Sequence, residues 1–252
     1  MKLPAGIAMP GGGDPFMAFD VDEDHTKWPT LHALFEQWRV SDFVRTEFAK
    51  QEINAAEWLE LGAEYHGYPQ PDEDVFGYRD ATYDLTDCCE QCGIGMKQKA
   101  PFQMKGEPTW GRNGIFQLNW VFDEHFVTPE VWTAVFKPYG IGSRPVTSTK
   151  GIELKTVLQL VIEEEVSIVT KGLSSERCAR CGRVKYLPVT RGPFPALTGK
   201  PSSAMVKTRE YFGSGAAAHK RVLISQKLAH ALAAERVRGA SMRPVQSVID
   251  AP

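Results

Sequence analysis

Cys89-Glu90-Gln91-Cys92-Gly93 and Cys178-Ala179-Arg180-Cys181-Gly182 hold four of the five cysteines of this 252-residue chain, with 85 residues between Cys92 and Cys178. Each stretch has the shape of a metal-binding knuckle. Two thiols separated by two residues can bite one ion, and the following Gly lets the backbone curl so that amide N–H groups face the sulfurs. Four thiolates close a tetrahedron and leave no vacant position for a substrate, which is structural rather than catalytic zinc chemistry. Cys89, Cys92, Cys178 and Cys181 are therefore the expected ligands of one shared Zn2+. Cys88 breaks the two-residue spacing and is expected to be a neighbour only. Two alternatives stay open on sequence alone. Four-cysteine sites usually place the second pair about 15–20 residues after the first, so the pairs could be unrelated, or one could be redox-active. A redox pair should open a helix after a buried strand, whereas Cys178 follows Lys171-Gly-Leu-Ser-Ser175 and Cys181 leads into Gly-Arg, a turn between strands.

A chain of this length can bury a sizeable core, and its 42% hydrophobic and 24% charged content is ordinary for a globular protein. No apolar run approaches the roughly 20 residues of a membrane span, and Met1–Asp14 lacks the basic and apolar regions of a secretory signal. Reduced cysteine pairs then point to the cytoplasm. The net charge of −2 hides an asymmetry: residues 1–87 carry 18 acidic against 6 basic side chains, and residues 88–252 carry 13 against 23. The halves either neutralise each other or present one sign to a partner.

Along the chain, residues 1–87 read as an acidic, helix-containing region, 88–150 as the first knuckle with a strand and helix, and 151–252 as a long strand, the second knuckle and another strand and helix. Leu31, Leu34, Phe35 and Trp38 repeat at helical spacing behind Thr30 as cap, and Ser41 restarts the helix with Phe43, Val44 and Phe48. Asn54-Ala-Ala-Glu57 resembles a capping box ahead of Trp58 and Leu59. Tyr65–Asp74 reads as loop, Tyr78–Leu85 as a strand, and Lys155–Val169 as one long β-branched strand.

The part beyond Cys88 appears twice over. Phe116–Phe122 alternates as a strand, Thr128-Pro129 caps a helix ended by Gly140, and Arg144-Pro145-Val146 follows. Arg221–Ile224, Ser225, Gly239 and Arg243-Pro244-Val245 return in the same order, and Pro101-Phe102 and Pro193-Phe194 follow their knuckles at similar distances. The expected fold is thus α+β: small mixed sheets with short capped helices, and two pseudo-repeated halves sharing the four-cysteine site.

Signals for catalysis are weak. The six histidines show no ligand spacing, and His125 beside Asp123 and Glu124 is the best candidate for proton work. Gly213-Ser-Gly-Ala-Ala-Ala218 matches a dinucleotide fingerprint only formally. It precedes a strand instead of following one, so it reads as a tight turn of small residues. The chain does not read as an enzyme. From Lys171 to Arg243 there are 15 Lys or Arg against 3 Glu, interleaved with aromatic residues, which keeps a nucleic-acid-binding zinc ribbon as the second reading.

The two Cys-x-x-Cys-Gly turns resemble those of the double-CXXCG motif proteins of bacteria, some of which are classed as immunity proteins of polymorphic toxin systems. The stretch Thr208–Gly215 followed by Val222–Leu228 is similar to the C-terminal module of such proteins. The resemblance implies zinc at Cys89, Cys92, Cys178 and Cys181 and a cognate toxin as partner. Acidic residues between Asp20 and Asp87 suit a basic toxin, with Trp28, Trp38, Trp58, Tyr65 and Tyr68 as candidate anchors.

Overall fold

The computed structural model describes residues 20–39, 44–64, 66–72 and 76–247. The chain divides into two compact units, 1–45 and 46–252. The first contains helix α1, Trp28–Trp38, which starts before Thr30 because Pro29 fits the first turn, and ends where Arg39 turns left-handed. Ser41 and Phe43 fall outside the described residues, and Val44–Ala49 is not helical.

In the second unit the order is α2 (Lys50–Ala55), β1 (Trp58–Ala63), β2 (His66–Gly67), α3 (Gly77–Thr82), β3 (Tyr83–Asp84), β4 (Lys97–Gln98), β5 (Gln103–Met104), β6 (Ile115–Leu118) and β7 (Val121–Val127). Helix α4, Pro129–Val131, continues as a π turn to Phe136 and a 3-10 turn to Tyr139. Then come β8 (Gly142–Ser148), β9 (Glu153–Val161), β10 (Glu165–Val166), β11 (Ser175–Arg177), β12 (Val184–Tyr186), β13 (Met205–Thr208), β14 (Val222–Ser225), α5 (Gln226–Ala234) and β15 (Ala240–Pro244).

Several local expectations fail for identifiable reasons, among them the single strand at Phe116–Phe122, which the turn at Asn119-Trp120 divides between β6 and β7. Glu52, not Glu57, closes the capping box: its carboxylate accepts the Ala49 N–H at 2.7 Å, so the helix precedes Asn54. Trp58–Ala63 is then a strand, because Leu59, Leu61 and Ala63 alternate inward at period two. Tyr78–Leu85 begins as a helical turn whose Tyr78 and Thr82 are buried together at i, i+4 spacing. The long strand at Lys155–Val169 is broken after Val161, where the Glu164 carboxylate binds the backbone N–H groups of Ser202 and Ser203 and the Ser202 hydroxyl. The caps at Thr128 and Ser225 form as the sequence indicates, each hydroxyl oxygen accepting the N–H three residues on.

The strands build a six-stranded sheet, β2-β6-β7-β9-β8-β5, a five-stranded sheet, β10-β13-β14-β1-β15, and the two-stranded ribbons β3-β4 and β11-β12. The two larger sheets share a register. In one, Leu59 lies between Ile224 and Pro244; in the other, Leu158 lies between Val127 and Pro145. The edge strands β2 and β10 both pair in parallel, with β6 at Gln117-Leu118 and with β13 at Lys207-Thr208. Phe102 and Phe194 each offer a carbonyl to the N–H just beyond an Arg-Pro-Val triplet, at Thr147 and Gln246.

One interior strand of each sheet comes from the other half of the sequence. β1 precedes the first knuckle yet sits in the sheet with β13 and β14, while β9 follows β8 into the sheet of β6 and β7. Side-chain alternation then sorts the core. Leu59, Leu61, Val222 and Ile224 from one sheet and Ile115, Val127 and Leu160 from the other meet in one central core with Phe136, Leu228 and Leu232 of the helical segments. The opposite faces bury Phe102, Phe116 and Phe126 in one case, and Phe194, Val206 and Leu223 in the other.

Because each half supplies an interior strand to the other's sheet, residues 46–150 and 151–252 expressed separately are expected to show no cooperative thermal transition by circular dichroism. Co-expression should restore it. Cooperative unfolding of either fragment alone would contradict this exchange.

Candidate metal centre

Each knuckle is a tight turn closed by its own backbone. The Gly93 N–H donates to the Cys89 carbonyl at 2.7 Å and the Cys89 N–H to the Ile94 carbonyl at 3.0 Å; Gly182 to Cys178 and Cys178 to Arg183 repeat the pattern at 2.9 Å. Gly93 and Gly182 have φ of 77° and 72°, the left-handed conformation that favours Gly. At Gly93 a side chain is excluded twice over, since a Cβ would lie 2.3 Å from the Ala216 carbonyl oxygen.

The two knuckles, remote in sequence, meet. Cys89 Sγ is 3.7 Å from Cys178 Sγ, Cys92 Sγ is 3.7 Å from Cys181 Sγ, and all four sulfurs lie within 4.8 Å of one another. These distances exclude disulfides, and all five cysteines are free. Thiolate–metal bonds of about 2.3 Å give a tetrahedron with edges of about 3.8 Å, so the donor set fits a four-sulfur metal ion. Cys89, Cys92 and Cys178 are buried with Ile94 and Ala218, and Cys181 is exposed. Cys88 is not among the four.

Backbone amides hold the first sulfur of each pair ready to ionise. The N–H groups of Cys92 and Gln91 lower the Cys89 thiol to about 6, and those of Cys181 and Arg180 lower Cys178. Burial pushes the Cys92 thiol the other way, up to about 12. Four crowded thiolates need a cation to neutralise them, which the site's geometry leaves room to bind.

Around this cluster the basic residues serve the knuckles. Arg183 donates to the carbonyls of Asp87 at 2.8 Å and Ile94 at 2.7 Å, tying the second knuckle to the first. Arg177 donates to the Gly182 carbonyl at 2.7 Å. Lys185, only 3% exposed, donates to the carbonyls of Cys92, Gly215 and Ala217. Arg180 pairs with Glu90 at 2.8 Å across the exposed rim, where a salt bridge adds little.

Sequence reasoning missed Lys185 and the clasping role of the 213–218 loop. In β12 the apolar neighbours Val184 and Tyr186 mark Lys185 as outward-facing. The strand instead turns it inward, where three backbone carbonyl oxygens make a charge acceptable. The Gly213–Ala218 turn does pack small residues closely, but against the first knuckle.

His125 is fully buried, as are its neighbours Asp123 and Glu124 in large part. Glu124 pairs with Lys207 at 2.5 Å and accepts from Gln159 at 3.0 Å. Burial raises the Glu124 carboxyl above its usual range. Burial acts the same way on Asp123, but Lys207 and His219 outweigh it and hold that carboxyl low. Part of the charge asymmetry is likewise neutralised internally: Glu60 lies 3.6 Å from Arg221 and 3.7 Å from Arg243, Asp72 3.3 Å from Lys105, and Asp87 2.6 Å from Lys97. Among the described residues no helix is long and apolar enough to cross a membrane.

No family model matches this chain, and no curated protein matches it either.

The four-sulfur assignment separates Cys88 from Cys181. Cys88→Ser is expected to keep one metal ion per chain by elemental analysis, with an unchanged melting temperature. Cys181→Ser should lose most of the metal and melt lower. Metal loss in Cys88→Ser, or full content in Cys181→Ser, would overturn the assignment.

Proposed function

We propose that this chain is a non-enzymatic, zinc-stapled binding protein, an immunity protein that occludes a cognate bacterial toxin. The observation that carries the first part is the four-cysteine cluster: four sulfurs at tetrahedral spacing would saturate the ion and leave no position for a reacting water. Zinc is the metal best matched to an all-thiolate, buried, tetrahedral site in a structural role. Cytoplasmic residence accords with free thiols held reduced.

The toxin as partner rests on the resemblance of Cys89–Gly93 and Cys178–Gly182 to the double-CXXCG turns. The exposed acids Asp20, Asp22 and Asp24 of the first unit, and Glu57 and Asp80 of the second taken by itself, carry the sign that steers a basic partner. A nucleic-acid-binding ribbon would need the knuckle cations free for phosphates. Arg177, Arg183 and Lys185 are directed instead at backbone carbonyls, which favours the protein-binding reading.

We also infer that the two halves arose by duplication. The shared register of the two sheets, the paired Arg-Pro-Val triplets and the equivalent caps support that origin. On this view each copy contributes one knuckle, which accounts for the long interval between the cysteine pairs.

Co-expression with the toxin-like product of the neighbouring gene is the direct test. The expected result is a stable complex on size exclusion and rescued growth of the host. No complex with any neighbouring product, and no rescue, would remove the immunity reading.

A further inference from the structure

Tyr68, Phe76, Trp120 and Phe122 are large apolar side chains left 63%, 36%, 40% and 36% exposed. They are not scattered. The Trp120 ring lies 5.6 Å from that of Tyr68 and 5.8 Å from that of Phe76. A pocket of about 260 Å3 opens here, lined by Phe76, Arg79, Trp120, Phe122, His219 and small residues of the 213–218 loop. That loop is also the clasp on the first knuckle, so the pocket floor is anchored to the cysteine cluster.

Two features set this pocket apart from an ordinary surface dimple. Trp120 occupies the two-residue turn between β6 and β7 with φ of 65°, a left-handed conformation that Gly or Asn would adopt without strain. A bulky aromatic that defies the local backbone rule while remaining exposed is placed for recognition, not for folding. Arg79 is the second. Its guanidinium stacks 4.2 Å from the Phe76 ring centroid and hydrogen-bonds the Tyr78 phenol oxygen, its Nε is buried with no hydrogen-bond acceptor, and among the described residues no carboxylate pairs with it. His219, by contrast, already faces Asp123 at 3.8 Å.

We propose that this pocket is the anchor site for the protein partner: it receives one aromatic side chain of that partner, and a carboxylate adjacent to it in the partner pairs with Arg79. Aromatic walls and one guanidinium without a carboxylate partner among the described residues match an aromatic–carboxylate pair in both shape and charge. The volume lies below the roughly 300–1,000 Å3 of small-ligand sites and suits a single side chain. A lone Arg without neighbouring free cations is a poor match for a polyphosphate or nucleic-acid backbone. The proposal refines the binding-protein reading by naming its face, and does not depend on the partner being a toxin.

The probe is N-acetyltryptophan, whose indole and carboxylate mimic the pair, with neutral N-acetyltryptophanamide as control. Both are titrated into the metal-loaded full chain carrying 15N-labelled indoles, with the Trp120 signal assigned from Trp120→Gly. The acid is expected to shift that signal saturably in the millimolar range, and the amide to bind at least about tenfold more weakly. Arg79→Gln should remove the preference, and Trp120→Gly should remove binding while melting at the same or a higher temperature, because Gly tolerates the turn. Any one of four outcomes overturns the proposal: no saturable shift, equal binding of both probes, tighter binding of adenosine monophosphate, or a Trp120→Gly variant that melts several degrees lower. A failed toxin complex beside a positive titration would count against the toxin and leave the pocket standing.

Discussion

Four sulfur atoms drawn within 4.8 Å of one another, from turns separated by most of a domain's length of chain, are the constraint around which this protein is arranged. Like-charged thiolates cannot share so small a volume without a cation. The protein prepares for one by aiming backbone amides at Cys89 and Cys178, and by seating Lys185 and Arg183 on the surrounding carbonyls. Those two cations also link the knuckles physically, so the centre is held by hydrogen bonds as well as by its thiols. The 213–218 loop completes the enclosure by pressing the Ala216 carbonyl against Gly93, an approach no residue with a side chain permits.

The exchange of interior strands gives the same outcome by another route. With β1 in one sheet and β9 in the other, the two halves cannot part without breaking both sheets and exposing the core of Leu59, Ile115, Leu160 and Ile224 that they share. Burial of that core is the main stabilising contribution, and a metal ion on the periphery would add a second, independent tie.

Much of this was legible in the sequence, and the failures are instructive. The two-residue spacing marked Cys89/Cys92 and Cys178/Cys181 as ligand pairs and set Cys88 aside, while the convergence of the two pairs came from the fold. Thr128 and Ser225 declared their helices because an N-cap hydroxyl followed by an amphipathic run has few other uses. By contrast, the capping box read at Asn54–Glu57 ahead of Trp58 failed because short apolar runs such as Trp58–Ala63 satisfy both helical and extended periods, and only the neighbouring strands β14 and β15 decide between them. The strand exchange left no mark on local sequence, since pairing partners are a property of the whole chain. Lys185 was hidden for a similar reason: alternation in β12 points it outward until the second knuckle and the 213–218 loop supply carbonyls to receive it. The asymmetry of charge was visible, but not how much of it Glu60, Asp72 and Asp87 satisfy at home.

X-ray absorption at the zinc edge of the purified full-length protein probes the centre most directly. The expected spectrum is four sulfur scatterers at about 2.3 Å with no nitrogen or oxygen neighbour. A mixed shell containing water or imidazole, or a protein isolated without zinc and indifferent to its addition, would contradict a saturated four-thiolate staple.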